Sequence, residues 1–169
     1  MGRNERGSVE LDTLAGLAAT VTEAATPVAA FAAADRAACT LIGRALFTVM
    51  AFDAPAMEVQ RVYSSNPDAY PPGGRKRKRD TPWGRHVLER GLPFRGAGPE
   101  DIRAHFDDHA LILRLGLESV MNVPVRVCGE TIGTMNLLRA AARFTERDLA
   151  AAQVLAGLLA GPLARAAQK

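Results

Sequence analysis

The sequence predicts an α+β fold in which antiparallel hairpins are flanked by helices. Two observations carry that expectation. Apolar residues recur every three or four positions near both ends of the chain, which is a helical period. Between them, two stretches rich in strand formers are each folded back on themselves by a short turn. The length of 169 residues leaves room for one ordinary domain and too little for two well-cored ones. Hydrophobic residues at 48% against 23% charged exclude disorder as the main state. No internal repeat is visible.

Ser8 is the expected N-cap of a first helix carrying Leu11, Leu14, Ala18 and Val21 on one side. Thr26-Pro27 reads as a cap followed by proline at the first position of a second helix, which Gly43 stops. Leu46–Phe52 and Met57–Ser64 are expected as a hairpin around Asp53–Ala56. Ser65–Asp80 reads as a long irregular loop holding Asn66-Pro67, Pro71-Pro72-Gly73-Gly74 and the run Arg75–Arg79. Thr81-Pro82 opens a helix that Gly91 ends, and Pro93–Arg95 allows a short strand. Pro99–Leu115 is predicted as one helix closed by Gly116. Ser119–Val127 and Thr131–Arg139 pair around either Cys128-Gly129 or Gly129-Glu130. Either turn places Val123, Val125, Thr134 and Asn136 on one face and Asn122, Gly133, Met135 and Leu137 on the other. Thr145 caps a last helix, with Asp148 completing a near capping box and Phe144 positioned to staple onto Leu149. Leu155, Leu158, Leu159 and Leu163 leave that helix little polar surface, so it must bury two sides.

From Leu46 to about Ala164 the chain resembles the GAF domain family. Thr81-Pro-Trp-Gly-Arg-His-Val-Leu-Glu-Arg-Gly-Leu-Pro-Phe-Arg95 is similar to the family's G-x-x-V-x-x-x-G-x-P helix-to-strand segment. Ser119–Val125 with Gly129–Leu138 is similar to its S-hydrophobic-P … G-x-x-hydrophobic-G hairpin, and Phe144–Leu149 opens the last helix as in many members. The resemblance implies a GAF/PAS-like central antiparallel sheet of five or six strands. Helices from both termini would cover one face; the loop and the middle helices would cover the other, above a ligand pocket. Residues 1–44 are then expected as N-terminal helices packing on a GAF-like domain of residues 45–169, the whole forming a single structural unit. The role implied is regulatory small-molecule binding more often than catalysis. The cyclic-nucleotide signature of phosphodiesterase GAF domains and a bilin-attaching cysteine with a neighbouring histidine are not seen. Free methionine sulfoxide reductases resemble this fold but use several cysteines near the pocket; here only Cys39 and Cys128 are present.

The site expectation centres on Arg75, Arg79, Thr81, Trp83 and Arg85. A helix N-terminus offers free N–H groups and partial positive charge to an anion, and Gly84 would let a ligand approach closely. Ser64, Asn66 and Tyr70 lie where the second strand enters the loop and can orient a ligand by hydrogen bonds. Asn136 is either pocket floor or a link to a helix. His105 and His109, four apart, with His86 from the neighbouring helix, have a spacing that can bind a metal, but pocket-lining or surface polarity is the preferred reading, and no metal is assigned. No catalytic residue is assigned and the cofactor is unknown.

The formal charge is +3 and the pI 9.2, yet five basic residues stand together in Arg75–Arg79, so the rest of the chain is net acidic. That favours one local cationic site over a nucleic-acid partner; aromatics are only 5%, and no recognition helix is apparent. Two unpaired cysteines suit a reducing cytoplasm, the N-terminus carries no apolar signal stretch, and the longest apolar run, Leu149–Ala164, is short for a membrane span. The expectation is therefore a cytoplasmic sensor for a small, anionic metabolite, forming a homodimer through its first and last helices or signalling to a partner. The alternative is a small GAF-fold enzyme such as a reductase, with a nucleic-acid-binding module behind it.

Overall fold

The computed structural model describes residues 3–167. Two antiparallel helices, α1 (Arg3–Glu23) and α2 (Pro27–Leu41), lead into a six-stranded sheet. Its strands are β1 (Leu46–Asp53), β2 (Glu58–Ser64), β3 (Arg75–Arg77), β4 (Phe94–Ala97), β5 (Ser119–Val127) and β6 (Glu130–Arg139). They lie in the order β3-β2-β1-β6-β5-β4, every neighbouring pair antiparallel. A π-helical turn, Gly84–Glu89, and two short helices, α3 (Pro99–His105) and α4 (His109–Arg114), cover one face. Helices α1, α2, α5 (Glu146–Leu158) and α6 (Ala160–Ala167) cover the other.

The helix face holds the main core. Phe47 and Val49 of β1, Met121, Val123 and Val125 of β5, and Met135 and Leu137 of β6 pack against Phe31, Leu155, Leu159 and Leu163. Local signals set the entry to each helix. Thr26 Oγ1 accepts from Ala29 N–H at 3.2 Å, with Pro27 first in the helix. At α5 the capping box is complete: Asp148 N–H donates to Thr145 Oγ1 at 3.2 Å, and Thr145 N–H to Asp148 Oδ2 at 2.8 Å. Such a box satisfies two orphan donors at once.

Several expectations are corrected. Helix α1 already runs from Arg3, so Ser8 lies inside it and does not cap it. The last helix is two helices bent by 50°. Pro162 lacks an N–H and its ring opposes the carbonyl four residues back, which breaks the ladder there. The single helix expected over Pro99–Leu115 is interrupted at 106–108, with Phe106 in extended conformation (φ −126°, ψ 122°). The basic run, expected in an irregular loop, is in part an edge strand: Lys76 pairs with Val59 and Arg77 with Glu58.

The most consequential correction concerns the faces of the second hairpin. Its turn is Cys128-Gly129, both at positive φ (48° and 89°), and Val127 pairs with Glu130. One step further the register shifts: Arg126 pairs with Thr131 but Val125 with Gly133. The extra residue is a β-bulge, and a one-residue slip turns every later side chain to the opposite face. Asn122 therefore sits opposite Asn136, on the same face, and not opposite Met135. A second bulge lies between β1 and β2: Val49 pairs with Tyr63 but Met50 with Arg61. Tyr63 thus faces the helices with Val49, while Arg61 joins Met50 on the far side.

A candidate ligand pocket beneath the short helices

The face opposite the main core encloses a pocket of about 60 Å3. Leu46, Thr48 and Met50 of β1, Asn136 and Leu138 of β6, and Val120 and Asn122 of β5 form its floor. Arg61, Tyr70, Lys76 and Lys78 close one side, Trp83 another, and Phe106, Asp108 and Ile112 the roof.

The floor carries a directional chain of buried hydrogen bonds. Trp83 Nε1–H donates to Asn122 Oδ1 at 2.9 Å, Asn122 Nδ2 to Asn136 Oδ1 at 2.8 Å, and Asn136 Nδ2 to Thr48 Oγ1 at 3.1 Å. Each amide is satisfied on both ends, as buried polar groups must be. The chain crosses three strands because Thr48 pairs with Asn136 and Asn136 with Asn122, so the bulge in the second hairpin is what permits it.

The cationic side follows from strand alternation. In Arg75–Arg79 the odd positions point outward and the even ones inward. Lys76 meets Asp108 Oδ1 at 2.9 Å; buried Lys78 meets Asp107 Oδ2 at 3.3 Å, and its ammonium lies 5.5 Å from the Trp83 ring centroid. Arg61 is 6% exposed, donates through one terminal nitrogen to Pro71 O at 3.0 Å, and stacks 4.8 Å from the Tyr70 ring centroid. Arg61 Nε and Tyr70 Oη are buried without a hydrogen-bond partner in good geometry. Burial lowers the pKa of Arg61 against the pull of Asp108, though a guanidinium stays charged. Burial and the adjoining Asp108 carboxylate push Tyr70 well above the usual tyrosine value. Burial by itself raises Asp108, but the hydrogen bond and charge of Lys76 outweigh it and hold the carboxyl below its ordinary value. The pocket therefore combines three cations, one carboxylate, an amide floor and an apolar wall.

Of the residues expected at the site, Tyr70, Trp83 and Asn136 line this pocket. Ser64 and Asn66 build the loop above it: Ser64 Oγ accepts from Asn66 N–H at 3.1 Å, and Asn66 Oδ1 from Ala69 N–H at 3.2 Å. Arg75 is exposed on the outer edge and pairs with Glu58 at 3.0 Å, and exposed Arg79 donates to Pro55 O at 3.1 Å. Arg85 is exposed outside the lining. Thr81 Oγ1 accepts from Gly84 N–H at 2.9 Å, which removes a donor expected to be free for an anion. Gly84 serves the packing of its own chain: a Cβ there would stand 2.2 Å from Lys78 O. His86 bonds Pro93 O at 3.0 Å, and His105 bonds Asp101 O at 2.9 Å with its ring 4.7 Å from that of Phe94. His105 and His109 fall on separate helices, and among the described residues no group of three or more His, Cys, Asp or Glu can hold a metal ion. Arg61, Lys76, Lys78, Asn122 and Thr48 were not singled out as site residues from the sequence, whereas Asp108 was noted only beside His105 and His109 as surface or pocket-lining polarity. For the lysines the signal was present: strict Arg-Lys alternation puts both on one face once the run is read as a strand.

The chain belongs to the GAF domain family, whose sequence profile matches residues 16–163. GAF domains are typically regulatory domains that bind small molecules. The fold is similar to that of the GAF domain from a phosphoenolpyruvate-protein phosphotransferase (ptsP) of Coxiella burnetii, with TM-score 0.77, 20% identity, and coverage of 94% of this chain and 95% of that one. It is also similar to the free methionine-R-sulfoxide reductase of Neisseria meningitidis, solved with its substrate: TM-score 0.74, 16% identity, coverage 99% and 95%. A GAF domain of a sensor histidine kinase from Bacillus halodurans matches with TM-score 0.66 and 13% identity over 80% of this chain and 91% of that one. No curated protein matches the chain in sequence. Among the described residues no single helix is long and apolar enough to cross a membrane.

Proposed function

We propose that this domain is a sensor for a small anionic metabolite, bound between the amide floor and the Arg61–Lys76–Lys78 side of the pocket. One observation carries the reading: a guanidinium 6% exposed, with its Nε unpartnered, lines a partly apolar cavity beside two lysines. A buried cation short of a partner is costly alone and is stabilised by an incoming anion. The apolar wall of Leu46, Val120, Ile112 and Leu138 suits a short carbon body, and the Trp83–Asn122–Asn136–Thr48 chain fixes the shape of the floor.

Output passes through the opposite face. Arg147 of α5 pairs with Glu10 of α1, and Leu11 and Val154 stand exposed on these helices at 67% and 47%. Such apolar side chains suit a homodimer or a partner helix, and a solution mass of one chain at micromolar concentration would count against the dimer. The working compartment is a reducing cytoplasm, in keeping with two free, exposed cysteines. Neither cysteine lines the pocket, which gives a thiol reductase mechanism no support there.

The test is a thermal-shift screen of small carboxylates and phosphates on the wild type and on Arg61→Met. A rise in Tm with at least one anion, lost in the variant, is expected. No response from the wild type, or an equal response from the variant, sinks the reading.

A further inference from the structure

Asp108 is the one carboxylate in the pocket lining. It belongs to the three-residue break between α3 and α4, where the expected continuous helix turns aside. Its Oδ1 sits 2.9 Å from Lys76 Nζ, its charge acts on Arg61, and it lies against the Tyr70 hydroxyl. These are the groups an anion entering the pocket would use. The free space left with Asp108 in place, about 60 Å3, is far below the roughly 300–1,000 Å3 of pockets that hold drug-sized molecules. A ligand of more than a few atoms must move part of the lining.

The lining segment that a ligand at Lys76 would meet first is the break itself. Helices α3 and α4 have seven and six residues, too short to be stiff without their contacts. The anchors of the break are local backbone bonds: Phe106 N–H to Ile102 O and His109 N–H to Phe106 O, both at 3.1 Å, and the N–H groups of Leu111 and Ile112 to Asp108 O at 3.0 and 3.1 Å. To these are added a His109 Nδ1 contact to Phe106 O at 2.9 Å and the ion pairs of Asp107 and Asp108 with Lys78 and Lys76. Phe106 and Asp108 both line the pocket, so one motion of this segment opens apolar and anionic lining together.

We propose that Asp108 is an internal counter-ion that occupies the anion subsite, and that a ligand binds by displacing it and swinging the 106–108 segment outward. The inference rests on the anion-sensor reading above and specifies how that site is regulated and which charge it selects. Moving 106–108 outward withdraws Asp108 from Lys76 and also the 79% exposed Asp107 from Lys78, so Arg61, Lys76 and Lys78 are left without a carboxylate partner in the pocket. The opened site is therefore matched by a dianion, a dicarboxylate or a phosphate, better than by a monoanion. A ligand that must displace a resident group binds with an affinity reduced by the fraction of time the site is open.

The experiment titrates inorganic phosphate, succinate and acetate into the wild type, Asp108→Asn and Glu58→Gln by calorimetry. It also follows amide hydrogen exchange of residues 106–112 with and without saturating phosphate. Glu58→Gln removes one carboxylate on the outer edge of the sheet and controls for net charge. Asp108→Asn is expected to bind phosphate and succinate about tenfold more tightly than wild type, with Glu58→Gln within about twofold, because only the former removes a competitor from the site. In the wild type, phosphate and succinate outbind acetate, and phosphate speeds exchange at Leu111 and Ile112; this second measurement needs no variant to fold. Wild-type binding with unchanged or weaker affinity in Asp108→Asn overturns the displacement and leaves the anion reading standing. Slower exchange over 106–112 on binding does the same, since the ligand would then add to Asp108. If neither wild type nor Asp108→Asn binds any of the three anions, the anion reading itself fails and the inference with it.

Discussion

On the helix face of the sheet, Phe47, Val49, Met121, Val123, Met135 and Leu137 pack against the terminal helices. On the other face the neighbouring buried positions carry Thr48, Arg61, Asn122, Thr134 and Asn136. The two sides of the same strands are equally dry, but one is close-packed hydrocarbon and the other an organised polar surface beside a cavity. The helix face has its own ionic cluster at its margin, where Asp35 pairs with Arg44 at 2.5 Å and accepts from Tyr63 Oη–H at 3.0 Å. Burial cost on one face is offset by packing; on the other it is offset by hydrogen bonds and, we infer, by a ligand.

The sharpest break of this contrast is a truncation on the packed side. Leu137→Ala should cost about 2–5 kcal/mol in urea unfolding, the loss typical of a fully buried leucine. It should leave anion affinity of the folded protein unchanged, and a cost as small as that of a surface change would show that this face is not the core. On the polar side, Asn136→Ala orphans the Nδ2 donor of Asn122 and should cost about 1–3 kcal/mol. Here a neutral result would mean that the chain of amides is not what holds the floor. Arg61→Met should behave in the opposite sense for the two properties. Anion affinity should fall about tenfold or more, while stability stays level or rises because a buried charge has been replaced by an apolar stem.

A smaller effect separates the carboxylates of the two faces by pH. Burial lifts Asp35 above its ordinary value despite Arg44 and Tyr63, so the native state binds the extra proton first. Stability from Asp35 therefore grows as pH falls through the window just above the ordinary aspartate value, and Asp35→Asn should abolish that gain. Asp108 is held below its ordinary value, so its contribution is present above that value and is lost as pH falls beneath it. Asp108→Asn should flatten that acid limb, and urea unfolding between pH 3 and pH 7 reads both signs. The smallest effects belong to the outer edge. Arg75→Ala and Arg79→Ala should change stability by no more than about 0.5 kcal/mol and binding less than twofold, as exposed pairs do. A larger loss of binding would move the anion site outward from Lys76 and Lys78.

Much of the frame was legible because it is locally encoded. The caps at Thr26 and Thr145 and the two hairpins depend on residues a few positions apart, while the choice between Cys128-Gly129 and Gly129-Glu130 for the second turn was left to the structure. Trp83, Tyr70 and Asn136 could be singled out for similar reasons, as isolated polar or aromatic residues in strand and loop contexts. Arg61 and Asn122 could not, since simple alternation assigns each to the wrong partners; only the bulges beside Val62 and Ile132 turn them toward the pocket. Lys76 and Lys78 alternate with arginines, but the strand that gives the alternation its meaning is only three residues long and pairs at the sheet edge, so the run read as loop. Asp108 was noted beside His105 and His109 on one continuous helix; the break that turns it toward Lys76 was hidden because the helical pattern continues through it.

Taken alone, the sequence determined the order of the main helices and hairpins, the family and the presence of one concentrated cationic segment. Those properties follow from short-range periodicity, capping and composition, which need no knowledge of what lies across the sheet. The tertiary structure decided which charges of that segment face inward, which asparagines meet and where the helix over the pocket stops. Each of those depends on a register between distant strands, and a register is set by the sum of contacts on both faces, beyond the reach of any single stretch of chain.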